Sequence, residues 1–330
     1  MVKVYYEEHA DLSHIAHETV AIIGYGIQGQ AQALNLRDSG LTVVVGNRDD
    51  SYRERAAADG FEVLEIPEAA ATGDIINLLI PDEAQAEVYT ESIQQALAPG
   101  KALVFAHGFA IRYGVLQPPE FADLLLLAPR MPGKYVRELF IQGRGVPTYV
   151  YVGQDHTGRG LQRVLALAKG IGATRAGAFE ISFAQELELD HFSEHFTYPL
   201  IVRALQLSYE VLIEEGYPAE AVLMELHGSG ELGEVLREAA RIGLYPMIET
   251  HASPACQYGI HAYARRVLPD ETKNLLRQIV HEIRDGSFAR DLLAEQRNDY
   301  PRLRAMTKAA RAHELTATES RLRQLIRLPL

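Results

Sequence analysis

The sequence predicts an α/β Rossmann domain with a doubly wound parallel sheet, followed by an all-α domain. Three observations predict it. Through the first half, β-branched apolar runs alternate with segments of helical spacing. Those runs are apolar throughout, as strands covered on both faces are. Beyond about residue 180 the strand signals nearly vanish and amphipathic segments take over.

The elements follow in order. "TVAIIGYG" is the first strand and ends in glycines; "IQGQAQALNLRDSG" continues as a helix with a glycine stop. "LTVVVGN" and "SYRERAAADG" repeat the pair. "DIINLLIP" is a strand closed by Pro81, "AQAEVYTESIQQAL" a helix, and "ALVFAHG", "DLLLLAP" and "TYVYVGQ" three more strands. In the second half, "YPLIVRALQLSYEVLIEEG", "PAEAVLMELHGSGELGEVLREAARIG", "ETKNLLRQIVHEIRDGSFARDLLAEQR" and "ESRLRQLIRL" read as helices. The expected domains are 1–181, dinucleotide-binding, and 182–330, helical.

Length and composition bound the function. A chain of 330 residues suits two domains. A net charge of −12 argues against a nucleic-acid partner, which needs a basic face. No apolar run is long enough to span a membrane, and "MVKVYYEEHADL" lacks the apolar core of a signal peptide. One cysteine, Cys256, makes no internal disulfide, which fits a reducing cytoplasm. It is read as a small core or loop residue rather than a catalytic thiol.

"GYGIQG" places Gly24, Gly26 and Gly29 in a G-x-G-x-x-G pattern, with Tyr25, Ile27 and Gln28 between them. The pattern is weak alone, but here it ends a strand and opens a helix. The glycines allow a tight turn and close approach of a pyrophosphate, and the helix N-terminus supplies N–H groups to it. The second strand ends in "NRDDS", Asn47 to Ser51, where the adenine ribose is recognised. Arg48 suits a 2′-phosphate; Asp49 and Asp50 would repel one and accept from a free 2′-hydroxyl. Two acids against one base favour NAD(H) over NADP(H). "FAHGF" sets His107 at the carboxyl edge of the sheet, where ligands bind. A histidine there can position or shuttle protons.

"ELELDHFSEH" spaces Glu186, Asp190 and Glu194 four apart. On a helix these carboxylates share a face and repel by about 0.2–0.5 kcal/mol per pair. A hard divalent cation, which takes oxygen ligands, would offset that.

These motifs, with "KVYYEEHADLSHI", "LLIPDEAQAEVY", "FAHGFAIRYG", "GRGVP" and "AKGIGATRAG", resemble the ketol-acid reductoisomerase family, short form. The resemblance runs through the first domain and continues, more weakly, to "IRDGSFARDLLAEQ". It implies an alkyl shift within a 2-hydroxy-3-keto acid followed by reduction with a nicotinamide cofactor, two magnesium ions, a knotted helical domain, and a homodimer whose active sites are shared between subunits. It implies Asp190 and Glu194 as metal ligands, Glu186 beside them, and His107, Arg130, Asp190, Glu194 and Glu231 as the catalytic set. The cofactor face is expected to take in Gly24, Tyr25, Gly26, Ile27, Gln28, Gly29, Asn47, Arg48, Asp50, Ser51, Pro81, Asp82, His107 and Gly133. Glu231, His227, Ser253 and Pro132 are expected around the substrate.

Departures from the family pattern are as specific. The family's "KGPGH" reads "RMPGK", with Arg130 for lysine and Lys134 for histidine. Its Cys-Gly-Gly reads Pro199-Leu200-Ile201, where Pro199 would interrupt the helix. Its second acidic pair, E-C-L-H-E, faces "LMELHGSGELGE", so that His227 and Glu231, or Glu225 with a shift of register, stand in its place. Its serine-rich substrate run reads "ETHASPACQYG", keeping Ser253. An intact cofactor site beside an altered pocket suggests a repurposed paralogue, coupling hydride transfer to a carbon-skeleton change, such as cyclopropanol ring formation from a dihydroxy sulfonium acid. The alternatives are a genuine ketol-acid reductoisomerase of branched-chain amino-acid biosynthesis and a non-catalytic nucleotide-binding paralogue.

Overall fold

A computed structural model describes residues 1–327. Nine strands form one sheet: β1 (Val4–Tyr5), β2 (Thr19–Ile23), β3 (Thr42–Gly46), β4 (Glu62–Leu64), β5 (Ile75–Leu78), β6 (Ala102–Phe105), β7 (Asp123–Pro129), β8 (Thr148–Gln154) and β9 (Ala178–Glu180), in spatial order β1-β9-β8-β7-β6-β5-β2-β3-β4. The six strands expected from sequence are all present. From β4 to β7 every neighbouring pair is parallel, and the inner strands β5, β6 and β7 are buried at every position.

Two features depart from expectation. β8 runs antiparallel to β7, so the sheet is mixed. β8 is only half buried, and an antiparallel strand toward the edge of a parallel sheet tolerates one more solvated face. The short strands β1, β4 and β9 were not anticipated, because two or three residues carry no readable alternation.

Helices α1 (Ile27–Asp38), α2 (Ser51–Ala58), α3 (Ile66–Thr72), α4 (Asp82–Val88), α5 (Phe109–Arg112), α6 (Gly133–Ile141) and α7 (Gly160–Gly170) connect the strands. Two apolar layers flank the sheet. One is built around Ile22, Leu36, Val45, Leu125 and Leu167, the other around Ile23, Ile76, Phe105, Leu126 and Phe183. A buried ion network stitches this unit together: Arg163 donates to Glu18 and to Asp123 at 2.7 and 2.9 Å.

The remaining helices are α8 (Phe183–Phe192), α9 (Tyr198–Glu214), α10 (Ala219–Leu223), α11 (Glu231–Ile242), α12 (Leu244–His251), α13 (Pro254–Val267), α14 (Thr272–Arg284), α15 (Ser287–Arg297), α16 (Pro301–Ala312) and α17 (Glu314–Leu325). The chain divides into two compact units, 1–189 and 190–330, and the division falls inside α8. Two long helices expected from sequence are broken. "PAEAVLMELHGSGELGEVLREAARIG" splits at Gly230, whose φ is +84°, and "ETKNLLRQIVHEIRDGSFARDLLAEQR" at Gly286, φ +74°. Pro199 does not end the helical run, but the regular α-helix is interrupted just before it: the π-turn Ser193–Thr197 joins α8 to α9, and Pro199 follows in the first turn of α9 with helical backbone on both sides. No helix among the described residues is long and apolar enough to cross a membrane.

Candidate active site

β2 delivers the chain to the glycine turn. Gly24 has φ +93°, and a Cβ there would stand 2.6 Å from Ile80 Cγ2. A Cβ on Gly29 would stand 1.9 Å from the Gly24 carbonyl oxygen, so α1 leaves the turn in backbone contact with it. Gly26 caps α1, and a Cβ on it would meet nothing within 4 Å. The space in front of the α1 N-terminus is therefore open, as a pyrophosphate site requires.

The other residues of this stretch divide between ligand face and scaffold. Ile27 is 67% exposed. Tyr25, expected at the cofactor, is fully buried; its hydroxyl donates to Asp59 at 2.8 Å and its ring packs edge-on against Phe61. Burial and the Asp59 carboxylate push its pKa far above the ordinary value. Its side chain braces the turn from behind. Gln28 donates to the Met131 carbonyl at 2.9 Å. A Cβ on Gly133 would meet the Ile27 carbonyl oxygen at 2.1 Å. Thus Gly133 lets α6 dock closely on α1, and Pro132 caps α6.

The β3–α2 loop is tied by its own polar groups. The buried Asn47 accepts from the Tyr25 N–H and donates to Asp50, both at 2.9 Å. Asp50 caps α2, accepting from the Tyr52 and Arg53 N–H groups, while Arg48 donates to its other oxygen at 2.8 Å. The Arg48 hydrogen bond leads the effects that hold the Asp50 carboxyl below its usual range. Ser51 is the exposed first residue of α2.

β5 and β6 are parallel neighbours ending on the pair Leu78–Phe105, so the loops that follow them leave the sheet together. Pro81 caps α4 and Asp82 begins it. Asp82 lies 2.7 Å from His107 Nδ1. The next residue, Gly108, donates its N–H to Glu186 at 2.8 Å, and the second Glu186 oxygen accepts from Arg130, also at 2.8 Å. Glu186 has no exposed surface. Arg130 stacks over Tyr149, 5.0 Å from the ring centre, a favourable site for a guanidinium. Glu188 is reached by Arg112 at 3.5 Å. The sequence showed the carboxylates but not these partners, which lie 56 to 78 residues away along the chain.

α8 carries Asp190 one turn after Glu186, on the same helix face. A π-turn follows over Ser193–Thr197, closed by the Tyr198 N–H on the Ser193 carbonyl. Glu194 lies within it; such turns are frequent at functional sites. His191 and His195 stack on each other, and Phe288 meets the first ring edge-on and the second at a tilt; burial lowers the His195 pKa, against a smaller opposing effect of Glu282. A second π-turn, Met224–Gly228, carries Glu225 and His227. His227 Nε2 pairs with Glu319 of α17 at 2.9 Å. Glu231 begins α11 beyond the left-handed Gly230, so His227 and Glu231 do not share a continuous helix as expected. Ser253 caps α13, accepting from the Cys256 N–H at 3.4 Å.

Two carboxylates of the α8 stretch have the donor chemistry that magnesium takes. Asp190 and Glu194 offer oxygens, which this ion prefers, whereas both Glu186 oxygens already accept N–H groups. The pair expected for a second ion fits less well, since one member is an imidazole bound to Glu319 and the other lies across a helix break.

Comparison with known proteins finds relatives along the whole chain. Residues 14–177 match the family model "Acetohydroxy acid isomeroreductase, NADPH-binding domain" and residues 183–328 the model "Ketol-acid reductoisomerase, C-terminal domain". The chain is 40% identical over 328 residues to a ketol-acid reductoisomerase (NADP(+)) of Pyrobaculum calidifontis, covering 99% of each chain. It is 40% identical over 331 residues to one of Methanopyrus kandleri, again covering 99% of each. An NADH-preferring ketol-acid reductoisomerase from an uncultured archean superposes with a TM-score of 0.94 at 33% identity, over 98% of this chain and 99% of that one.

Proposed function

Because the chain belongs to the ketol-acid reductoisomerase family, we propose that it converts a 2-hydroxy-2-alkyl-3-oxo acid such as 2-acetolactate to the corresponding 2,3-dihydroxy acid, in branched-chain amino-acid biosynthesis. The observation that carries the reading is the shared carboxyl edge of the sheet. The glycine turn after β2, Asp82 after β5 and His107 after β6 all leave it side by side.

The residues divide the work. The N–H groups at the start of α1 bind the pyrophosphate, and Gly26 leaves room for it. His107 lies at the strand end where a nicotinamide and its substrate meet, and handles the proton of the C2 hydroxyl, which leaves as the alkyl group shifts to C3 and returns to that oxygen as hydride reduces the C2 ketone. Arg130 and the Gly108 N–H hold both oxygens of the Glu186 carboxyl. Asp190 and Glu194 would hold magnesium, which when bound polarises the substrate oxygens. At the adenine end NADH is the favoured cofactor: Asp50 fills the α2 N-terminus with a carboxylate, where a 2′-phosphate would otherwise sit, and can accept from a 2′-hydroxyl.

The active form is a homodimer of this chain. α9 buries Tyr209 on one side and exposes Leu207 and Val211 on the other, by 43% and 52%; a helix apolar all round is a buried one. The exposed lone Cys256 suits a reducing compartment such as the cytoplasm.

The relatives favour the biosynthetic reductoisomerase over the cyclopropanol-forming paralogue expected from the pocket changes. One observation supports a second reading, a shifted substrate: the broken helix between His227 and Glu231. Mixing protein, magnesium, NADH and 2-acetolactate separates them. Cofactor oxidation at several turnovers per minute or faster, with dihydroxy acid formed in equal amount, is expected. Tight NADH binding without turnover would defeat the reductoisomerase reading and leave the shifted substrate.

A further inference from the structure

We propose that Asp82, itself held by Gln85, is the positioning residue for His107: it keeps the imidazole proton on Nδ1 and makes Nε2 the acceptor nitrogen. The inference deepens the reductoisomerase reading. It rests on that reading for what His107 does in turnover, but not for the tautomer.

Three constraints converge on the ring. The first is the carboxylate. Asp82 lies 2.7 Å from Nδ1, and an ionised carboxylate can only accept, so Nδ1 must donate. The second is what holds the carboxylate. Gln85, which is 3% exposed, donates to the other Asp82 oxygen at 3.1 Å and to the Ile80 carbonyl at 3.2 Å. The aspartate is thereby tied to the loop that also packs on Gly24. The third is the backbone beyond the ring. Gly108 is bonded to Glu186, and a Cβ on it would stand 2.3 Å from the Phe183 carbonyl oxygen, so this peptide has no room to shift. The ring also stacks on Phe109, at 6.4 Å and 25°.

A carboxylate that fixes the Nδ1–H tautomer of a working histidine sets both its orientation and its acceptor face. An asparagine at this place could offer its NH2 group to Nδ1 instead and stabilise the opposite tautomer.

The test uses the full-length protein labelled with 15N-histidine. The His107 nitrogens are assigned by their loss in His107→Gln. The wild type should show a protonated Nδ1 and an unprotonated Nε2, and Asp82→Asn should move both resonances toward the reverse assignment. With 2-acetolactate, Asp82→Asn should lower kcat about 30-fold at saturating cofactor, while the Kd for NADH, read by its fluorescence, changes less than about threefold. A protonated Nε2 in the wild type would overturn the proposal, whatever the substrate and even if the variant failed to fold. So would a variant with unchanged His107 resonances, or one that raised the NADH Kd more than about tenfold while keeping kcat. If acetolactate is not turned over at all, the reductoisomerase reading fails and the resonances alone decide the tautomer.

Discussion

Glu186 shows how much one buried charge asks of its neighbours. It has no exposed surface and two nitrogen donors at 2.8 Å, and the Arg130 guanidinium is a charged partner that favours its carboxylate form. Removing one partner of such a pair leaves an uncompensated charge. Arg130 is itself partly exposed, so water can replace some of what is lost. Arg130→Ala should therefore cost about 2–3 kcal/mol, read as a lowered urea midpoint at unchanged slope. Arg130→Lys keeps the charge but not the planar stack on Tyr149, and should cost about 1 kcal/mol. Equal midpoints for all three proteins would show that the bond carries no stability. At this scale the sequence revealed which residues matter but not their division of labour. Spacing put Glu186, Asp190 and Glu194 on one helix, yet nothing local told that Glu186 is spent on Arg130. The same holds for Tyr25, whose place inside the glycine pattern suggested a ligand contact and whose side chain is buried behind it.

Elements were legible in proportion to how far local signals outrun tertiary ones. The six longer strands are apolar runs bounded by glycine or proline, and each lies where it was expected. The helical unit was read less well, because an amphipathic period passes straight through a π-turn or a left-handed glycine. Gly230 and Gly286 end helices that composition alone would continue. Glu194, Glu225 and His227 all lie in π-turns, a geometry with no sequence signature but a known tie to function. The β3–α2 connection is the element where sequence and structure agree most usefully. Asp50 both caps α2 and fills its N-terminus with negative charge. Asp50→Ser keeps a capping oxygen, so stability should change by under about 1 kcal/mol. The removed carboxylate opens the N–H groups, with Arg48, to a 2′-phosphate. The ratio of kcat/KM for NADPH to that for NADH should rise at least about tenfold, a 1.4 kcal/mol change. An unchanged ratio would place cofactor choice elsewhere.

At the scale of the whole molecule, the two units differ in how they are held together. The first has apolar layers on both faces of a sheet and a buried Glu18–Arg163–Asp123 network. It has the makings of an independent fold. The second, taken by itself, gathers among its described residues a buried apolar cluster around Tyr209, Val222, Leu223 and Leu322, while Tyr198, Val202, Leu207 and Val211 of α9 and Tyr258, Tyr263 and Val267 of α13 stay exposed. So thin a core is marginal for a unit of this length, and apolar surface on several helices marks a protein interface. In the proposed homodimer a second copy of the chain supplies the cover, and the stability of the helical unit is then linked to association. Two consequences are measurable together. The thermal midpoint of the wild type should rise with protein concentration, because a dimer that dissociates on unfolding is stabilised by mass action. Val211→Glu places a charge on the outer face of α9 without touching Tyr209, so it should shift the mass in solution toward the monomer and lower activity while the Rossmann unit still binds NADH. A wild type that is monomeric at working concentration, with a midpoint independent of dilution, would mean that these helices are stable with their apolar faces in water.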